Sequence, residues 1–270
     1  MKMSDWQFFS FVKSHAGKVR PYNEDCCTEM LSHRVWVVAD GMGGHKAGDI
    51  ASQMLVDTVR KVVDETQDLN IDHLKDAIVK ANQAIYQYAA DYLEGSTMGT
   101  TAVVLFIDAG QYHCLWVGDS RFYRLRKGQF EQKSRDHSQV TEMVDQGLIL
   151  ASEAENHPMA NVITRAVGVL PQVVVDQVSG QLCSDDQFIL CTDGLTKELT
   201  NQEIAFCLEA QTVNQSGLAL MHSALVKGAT DNVTCAVVKA SYLGQWKESQ
   251  DRNDATVPVF SGLGRKGYDI

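Results

Sequence analysis

Arg34-Val35-Trp36-Val37-Val38-Ala39, followed at once by Asp40-Gly41, reads as a buried β-strand that ends on an acid. Residues 26–31, just before it, are also strand-like, and Ser32-His33 between them reads as a two-residue turn. On that count Leu31 opposes Arg34, and Asp25 opposes Asp40. Directly opposed residues hold their Cβ atoms ~5 Å apart. Two carboxylates at that separation repel unless a cation joins them. The alternative is a solvated hairpin mouth with two exposed acids.

The pattern recurs along the chain. Asp119 and Asp193 also follow short apolar runs, at 115–117 and 188–191, and Asp231 stands just before the run 233–238. In an antiparallel sheet the end of one strand lies beside the start of its neighbour. Four acids written far apart can therefore converge on one edge of a sheet. An all-oxygen cluster of this kind suits Mg²⁺ or Mn²⁺. Gly41 and Gly194, each directly after an aspartate, let the chain turn sharply. The Gly41 carbonyl is then a neutral ligand for the same ion, although Asp-Gly is also a common turn. If strands 101–107 and 112–118 pair across a short loop, Thr100 opposes Asp119 and leaves room there for water.

The rest of the chain supplies the scaffold. Residues 47–65 and 71–93 carry apolar residues at helical spacing and read as two long amphipathic helices. Strands are expected at 7–15, 100–107, 111–117, 121–126, 129–133, 173–178, 187–192 and 233–239, with helices at 201–210 and 214–227. Strands cluster and helices come in pairs, which argues for antiparallel sheets covered by helix pairs rather than an alternating βαβ sheet. Residues 244–270 are polar and aperiodic and read as a tail.

Composition excludes several classes. Of 270 residues, 24 are Lys or Arg and 34 are Asp or Glu, a formal net charge of −10. An acidic chain without a basic stripe is a poor nucleic-acid binder. No apolar stretch approaches the ~20 residues that span a bilayer. The N-terminus lacks a signal-peptide core. Seven cysteines, with no C-x-x-C pair, read as buried reduced thiols of a cytoplasmic protein.

Arg20 is the cation placed beside the acids. Its planar fork suits an anionic substrate such as a phosphate, or else simply offsets charge. Paired metal ions lower the pKa of a shared water. Together these parts point to metal-assisted hydrolysis of a phosphate ester. No Cys-x₅-Arg loop, G-x-S-x-G or P-loop competes with that reading. His45 and His137 lie nearest the motifs, as acid/base candidates or as structural histidines.

A set of short motifs appears in order: RPYNED at 20–25, DGMGGH at 40–45, MGTT at 98–101, GDSR at 118–121, DHS at 136–138, NVITRAVG at 161–168, TDGL at 192–195 and DNVT at 231–234. Together they resemble the PP2C-type (PPM) metal-dependent protein Ser/Thr phosphatases, particularly the compact bacterial members, over about residues 7–240. The resemblance implies an α+β, four-layer αββα sandwich. It implies a phosphatase domain over 1–243, with a flap subdomain at about 142–168 and a C-terminal tail at 244–270. By the same resemblance, Asp40 bridges two Mn²⁺ or Mg²⁺ ions. Glu24 and the Gly41 carbonyl complete one ion's shell, and Asp193 and Asp231 hold the other. Asp119, with Asp193, matches a weaker third-metal position. Asp25 orients metal-bound water, and Arg20 binds the substrate phosphate. A hydroxide bridging the two ions would attack phosphorus directly, with no phosphoenzyme. Two departures stand out: Met42 where some members have histidine, and Lys197 where some carry another acid near the third metal. With Met42 there, His45 or a metal-bound water would be the leaving-group acid. The implied partners are phosphorylated proteins, a Ser/Thr kinase or its substrates, and the implied state is a monomer. The rival reading is a catalytically weak or inactive phosphoprotein-binding regulator of the same fold.

Overall fold

The computed structural model describes residues 5–43, 47–94 and 96–243. In chain order the elements are β1 (Trp6–His15), β2 (Asp25–Met30), β3 (Val35–Met42), α1 (Ala47–Glu65), α2 (Ile71–Tyr92), β4 (Gly99–Thr100), β5 (Ala102–Asp108), β6 (Gln111–Val117), β7 (Arg121–Arg126) and β8 (Gln129–Gln132). There follow α3 (Gln139–Asp145), β9 (Asp176–Gln181), β10 (Gln187–Cys191), α4 (Asp193–Thr196), α5 (Asn201–Cys207), α6 (Val213–Lys227) and β11 (Val233–Tyr242). One sheet has the order β1-β11-β10-β7-β8 and the other β2-β3-β5-β6-β9, with β4 also on β3. Every described pairing is antiparallel.

Strand alternation builds the layers. Successive side chains of a strand face opposite ways. Along β3, Val35, Val37 and Ala39 join Leu55, Val59, Ile78 and Ile85 of α1 and α2 in one core. Trp36 and Val38 point the other way, into a second core with Phe122, Phe188, Leu190 and Val238 of the facing sheet. Along β11, Val233, Cys235 and Val237 pack with Ile204, Leu220 and Met221 of α5 and α6. The result is helices, sheet, sheet, helices, the expected αββα sandwich. No helix among the described residues is long and apolar enough to cross a membrane.

Local details differ from the sequence reading. The β2–β3 connection is not a two-residue turn. A 3₁₀ turn spans Leu31–His33, and Arg34 adopts a left-handed φ of 56°. The loop takes one residue from each strand, so the register survives: Met30 pairs with Val35 and Asp25 with Asp40. The expected strand at 173–178 is shifted to Asp176–Gln181. Val173 and Val175 pack against the α1–α2 core. The polar stretch after them forms the ladder with β6 instead. Backbone pairing at a sheet edge, with Tyr112 lying over Gly180, outweighs the apolar run. Thr100 does not oppose Asp119. It leaves the β5 ladder to pair with Gly41 and bridge to Val167. The one-turn helix α4 was not foreseen. The tail at 244–270 lies outside the described residues.

Candidate metal centre and active site

Both sheets end at one mouth. Asp40 closes the run of β3, and Asp193 opens α4 directly after β10 and Thr192. Asp231 leads into β11, and Asp119 follows β6 across Gly118. Arg20, Glu24, Asp40, Gly41, Asp119, Asp193 and Asp231 all line one cavity of about 370 Å³, with Met42, Thr101, Asn161, Lys197 and Asn232. The four acids do come together, but not along one sheet edge. Asp40 and Asp119 stand at strand ends of one sheet and Asp193 and Asp231 at strand ends of the other, so it is the face-to-face packing of the sheets that joins them. His45 lies outside the described residues, and among the described residues no histidine lines this cavity.

Asp40 is pinned by its backbone. Its N–H donates to Thr101 Oγ1 at 2.9 Å, and its carbonyl accepts from Thr101 N–H at 2.8 Å and Thr100 Oγ1 at 3.0 Å. Thr101, not Thr100, is therefore the small polar residue in the pocket. Burial pushes the Asp40 carboxyl well above the carboxylate range, and Asp25, Asp193, Asp119 and Asp231 push it further.

Asp25 lies beneath the cavity and joins the two sheets. Its Oδ2 accepts from Thr192 Oγ1 at 2.9 Å and Thr234 Oγ1 at 2.7 Å. Burial raises its pKa to about 7 against those hydrogen bonds. Asp119 is raised to about 7 as well, first by burial and then by Asp193 and Asp136. Asp25 Oδ1 and Asp193 Oδ1 are buried and accept no hydrogen bond. Orphaned anionic oxygens in a crowd of acids are costly without a counter-charge. Hard divalent cations take such ligands, so this donor set fits Mg²⁺ or Mn²⁺.

The glycines are required by contact. A Cβ on Gly41 would lie 2.0 Å from the Gly48 carbonyl oxygen, so the end of β3 touches the start of α1 backbone to backbone. Gly48 in turn leaves space for Glu24, whose Oε1 would be 2.7 Å from a Cβ there. Burial raises the Glu24 pKa, opposed by Arg20 and a hydrogen bond from Gly48.

The cations engage Asp231. Arg20 Nε lies 3.0 Å from Oδ1 and its terminal nitrogen 3.1 Å from Oδ2. Lys197 Nζ lies 3.3 Å from Oδ2, and 2.5 Å from Asp193 Oδ2. Burial pushes Asp231 up, but Lys197, the Asn232 N–H and Arg20 bring it below the usual range.

His137 takes the structural role. It is buried, accepts the Gly118 N–H on Nδ1 at 3.0 Å, and so presents Nε2–H to Asp176 Oδ2 at 3.2 Å. It fixes the turn that carries Asp119. Sequence reasoning missed Asn232, Thr192 and Thr234 as site residues. Asn232 and Thr234 lay inside the DNVT motif. A buried asparagine there, with two donors and an acceptor, was the available signal.

Facing antiparallel sheets between helix pairs, with clustered acids and a guanidinium at the shared mouth, suit metal-assisted hydrolysis of a phosphate ester. The chain belongs to the protein phosphatase 2C family, whose model matches residues 13–228. It is 32% identical over 246 residues to the serine/threonine phosphatase stp of Listeria innocua, covering 88% of this chain and 98% of that protein. Among solved structures it resembles PppA, a key regulatory component of T6SS in Pseudomonas aeruginosa, at 38% identity and TM-score 0.78, covering 86% and 97%. It also resembles the catalytic domain of PstP in complex with 2 manganese ions, at 30% identity and TM-score 0.79, covering 87% and 99%. The enzyme is a protein serine/threonine phosphatase, a phosphoric monoester hydrolase.

Proposed function

We propose that the acid-lined cavity is the active site and that two divalent ions, Mn²⁺ or Mg²⁺, serve the hydrolysis of phosphoserine and phosphothreonine esters there. The observation that carries this reading is the pair of buried, unpartnered oxygens, Asp25 Oδ1 and Asp193 Oδ1, beside Asp40. The two manganese ions of the PstP domain support it.

Glu24, Asp40 and the Gly41 carbonyl would hold one ion, and Asp40, Asp193 and Asp231 the other. Asp119 with Asp193 is the further candidate position. Bound ions supply Lewis acidity, neutralising phosphate charge and acidifying water. Asp25, clamped by two threonine hydroxyls, keeps Oδ1 free to accept a hydrogen bond from the attacking water. Arg20, half-exposed on the rim, turns its fork to the equatorial phosphate oxygens and stabilises the charge that builds there. An adjoining cleft, lined by Val19, Arg20, His157 and Asn161, has room for the polypeptide flanking the phosphoresidue. Cys191 and Cys235 are buried in the outer core and take no part, which leaves no thiolate for a cysteinyl-phosphate; the attack proposed is by water directly on phosphorus.

The test is hydrolysis of p-nitrophenyl phosphate with Mn²⁺. EDTA and Asp193→Asn should each abolish it, and turnover that survives both would exclude this site. The reading extends to a cytoplasmic monomer acting on a Ser/Thr kinase or its substrates, which a pull-down with a metal-site variant would identify. Deletion of residues 246–270 should leave small-substrate turnover intact.

A further inference from the structure

Lys197 sits one turn after Asp193 on the same helical face, its N–H bonded to the Asp193 carbonyl at 2.7 Å. Its Nζ reaches Asp193 Oδ2 at 2.5 Å and Asp231 Oδ2 at 3.3 Å. Every oxygen of the Asp231 carboxylate is taken by the chain itself. Oδ1 accepts from Arg20 Nε and from Asn232 N–H, each at 3.0 Å, and Oδ2 accepts from Arg20 at 3.1 Å and from Lys197. Lys197 also lines, with Asp119 and Asp193, a second cavity beside the first. Arg20 is half-exposed on a long stem and can turn to solvent or substrate. Lys197 is held by two acids at once, and its side chain is 34% exposed. An ammonium between two carboxylates occupies the position a shared divalent ion needs.

We propose that Lys197 is a resident cation of this centre: its ammonium competes with a divalent ion for Asp193 and Asp231, and must withdraw for that ion to bind. This makes Lys197 a determinant of metal affinity and places metal loading, rather than the reaction, under its control. The inference rests on the reading of Asp193 and Asp231 as metal ligands.

The two ideas separate in one experiment, Mn²⁺ titration by calorimetry with protein stripped by EDTA. Wild type binding no Mn²⁺ would sink the metal centre itself. If wild type binds, Lys197→Met, which keeps the stem and removes the charge, should tighten the weaker Mn²⁺ step by at least roughly tenfold, since a unit charge at ~4–6 Å alters ion binding by that order. Lys197→Arg, which keeps the charge, should stay within about threefold of wild type. The metal-free Lys197→Met protein should also melt at a lower temperature, because Asp193 loses its ammonium and Asp231 one of its cationic partners. Unchanged or weaker Mn²⁺ binding in Lys197→Met would overturn the proposal. So would Lys197→Arg tightening as much as Lys197→Met, because charge would then not be the cause. Should Lys197→Met fail to fold, Lys197→Gln carries the same expectation.

Discussion

Asn232 Oδ1 accepts the backbone N–H of Glu24 at 2.8 Å, which ties the residue after Asp231 to an acid more than 200 positions earlier. Its Nδ2 donates to the carbonyls of Ala16 and Tyr22, each at 2.9 Å. One buried amide thus folds the Arg20 loop against the start of β11. Asn232→Ala leaves a donor and two acceptors unmet. The expected cost is roughly 2–4 kcal/mol, a fall in Tm of about 4–15 °C for a chain of this size. Mn²⁺ affinity should fall with it, and thermal melts with and without Mn²⁺ check both.

Asp40→Asn should separate stability from activity. In EDTA the wild-type carboxyl is buried among four other acids. A neutral amide of the same shape removes that repulsion. The metal-free variant should be more stable than metal-free wild type by about 1–2 kcal/mol, or roughly 2–8 °C. Added Mn²⁺ should raise the wild-type Tm and leave the variant's nearly unchanged. A variant less stable than wild type in EDTA would count against charge crowding at Asp40.

A pH dependence follows from Asp25 and Asp119, both raised to about 7, chiefly by burial. An unfolded aspartate titrates near ~4. A carboxyl whose folded pKa is raised favours the folded state while protonated, and that advantage is lost as pH climbs from ~4 through 7. Metal binding must displace those protons. The Tm gain on adding Mn²⁺ should therefore be larger at pH 8 than at pH 5.5. Calorimetry in buffers of different ionisation enthalpy should record proton release at pH 6. A Tm gain that is flat across this range would contradict the assignment.

Gly41→Ala tests the contact between β3 and α1. Its new methyl would meet the Gly48 carbonyl oxygen at 2.0 Å, backbone that cannot rotate away. Overpacking of this kind costs roughly 1–3 kcal/mol. Because Gly41 must shift away from the Gly48 carbonyl, its own carbonyl moves with it, and Mn²⁺ binding should weaken as well. A fully stable Gly41→Ala protein with wild-type Mn²⁺ affinity would show that the contact yields freely.

The layers were legible because strand periodicity is strong where both faces are buried. Val35 to Ala39 and Val233 to Val238 each supply two cores at once. The Asp25–Asp40 pairing was legible by counting, and it held because the turn took one residue from each side. Strand β9 was legible as an element but not in its bounds, 173–178 against Asp176–Gln181. Its pairing is fixed by the free edge of β6, and Val178 is the single apolar residue that Asp176–Gln181 sends into the core between the sheets. Thr100 and Thr101 could not be told apart, because a residue leaves a ladder for reasons of tertiary contact. The engagement of Arg20 and Lys197 with Asp231 was equally hidden, since long side chains choose partners only once the backbone is in place.

All seven cysteines are unpaired. Burial holds the thiols of Cys27 and Cys191 near a pKa of about 12, and Cys114 and Cys235 are raised too. Thiols that stay protonated at neutral pH are slow to meet peroxide or alkylating agents. A phosphatase built on oxygen ligands, with these buried thiols kept protonated and away from the chemistry, should outlast peroxide that silences enzymes relying on a thiolate.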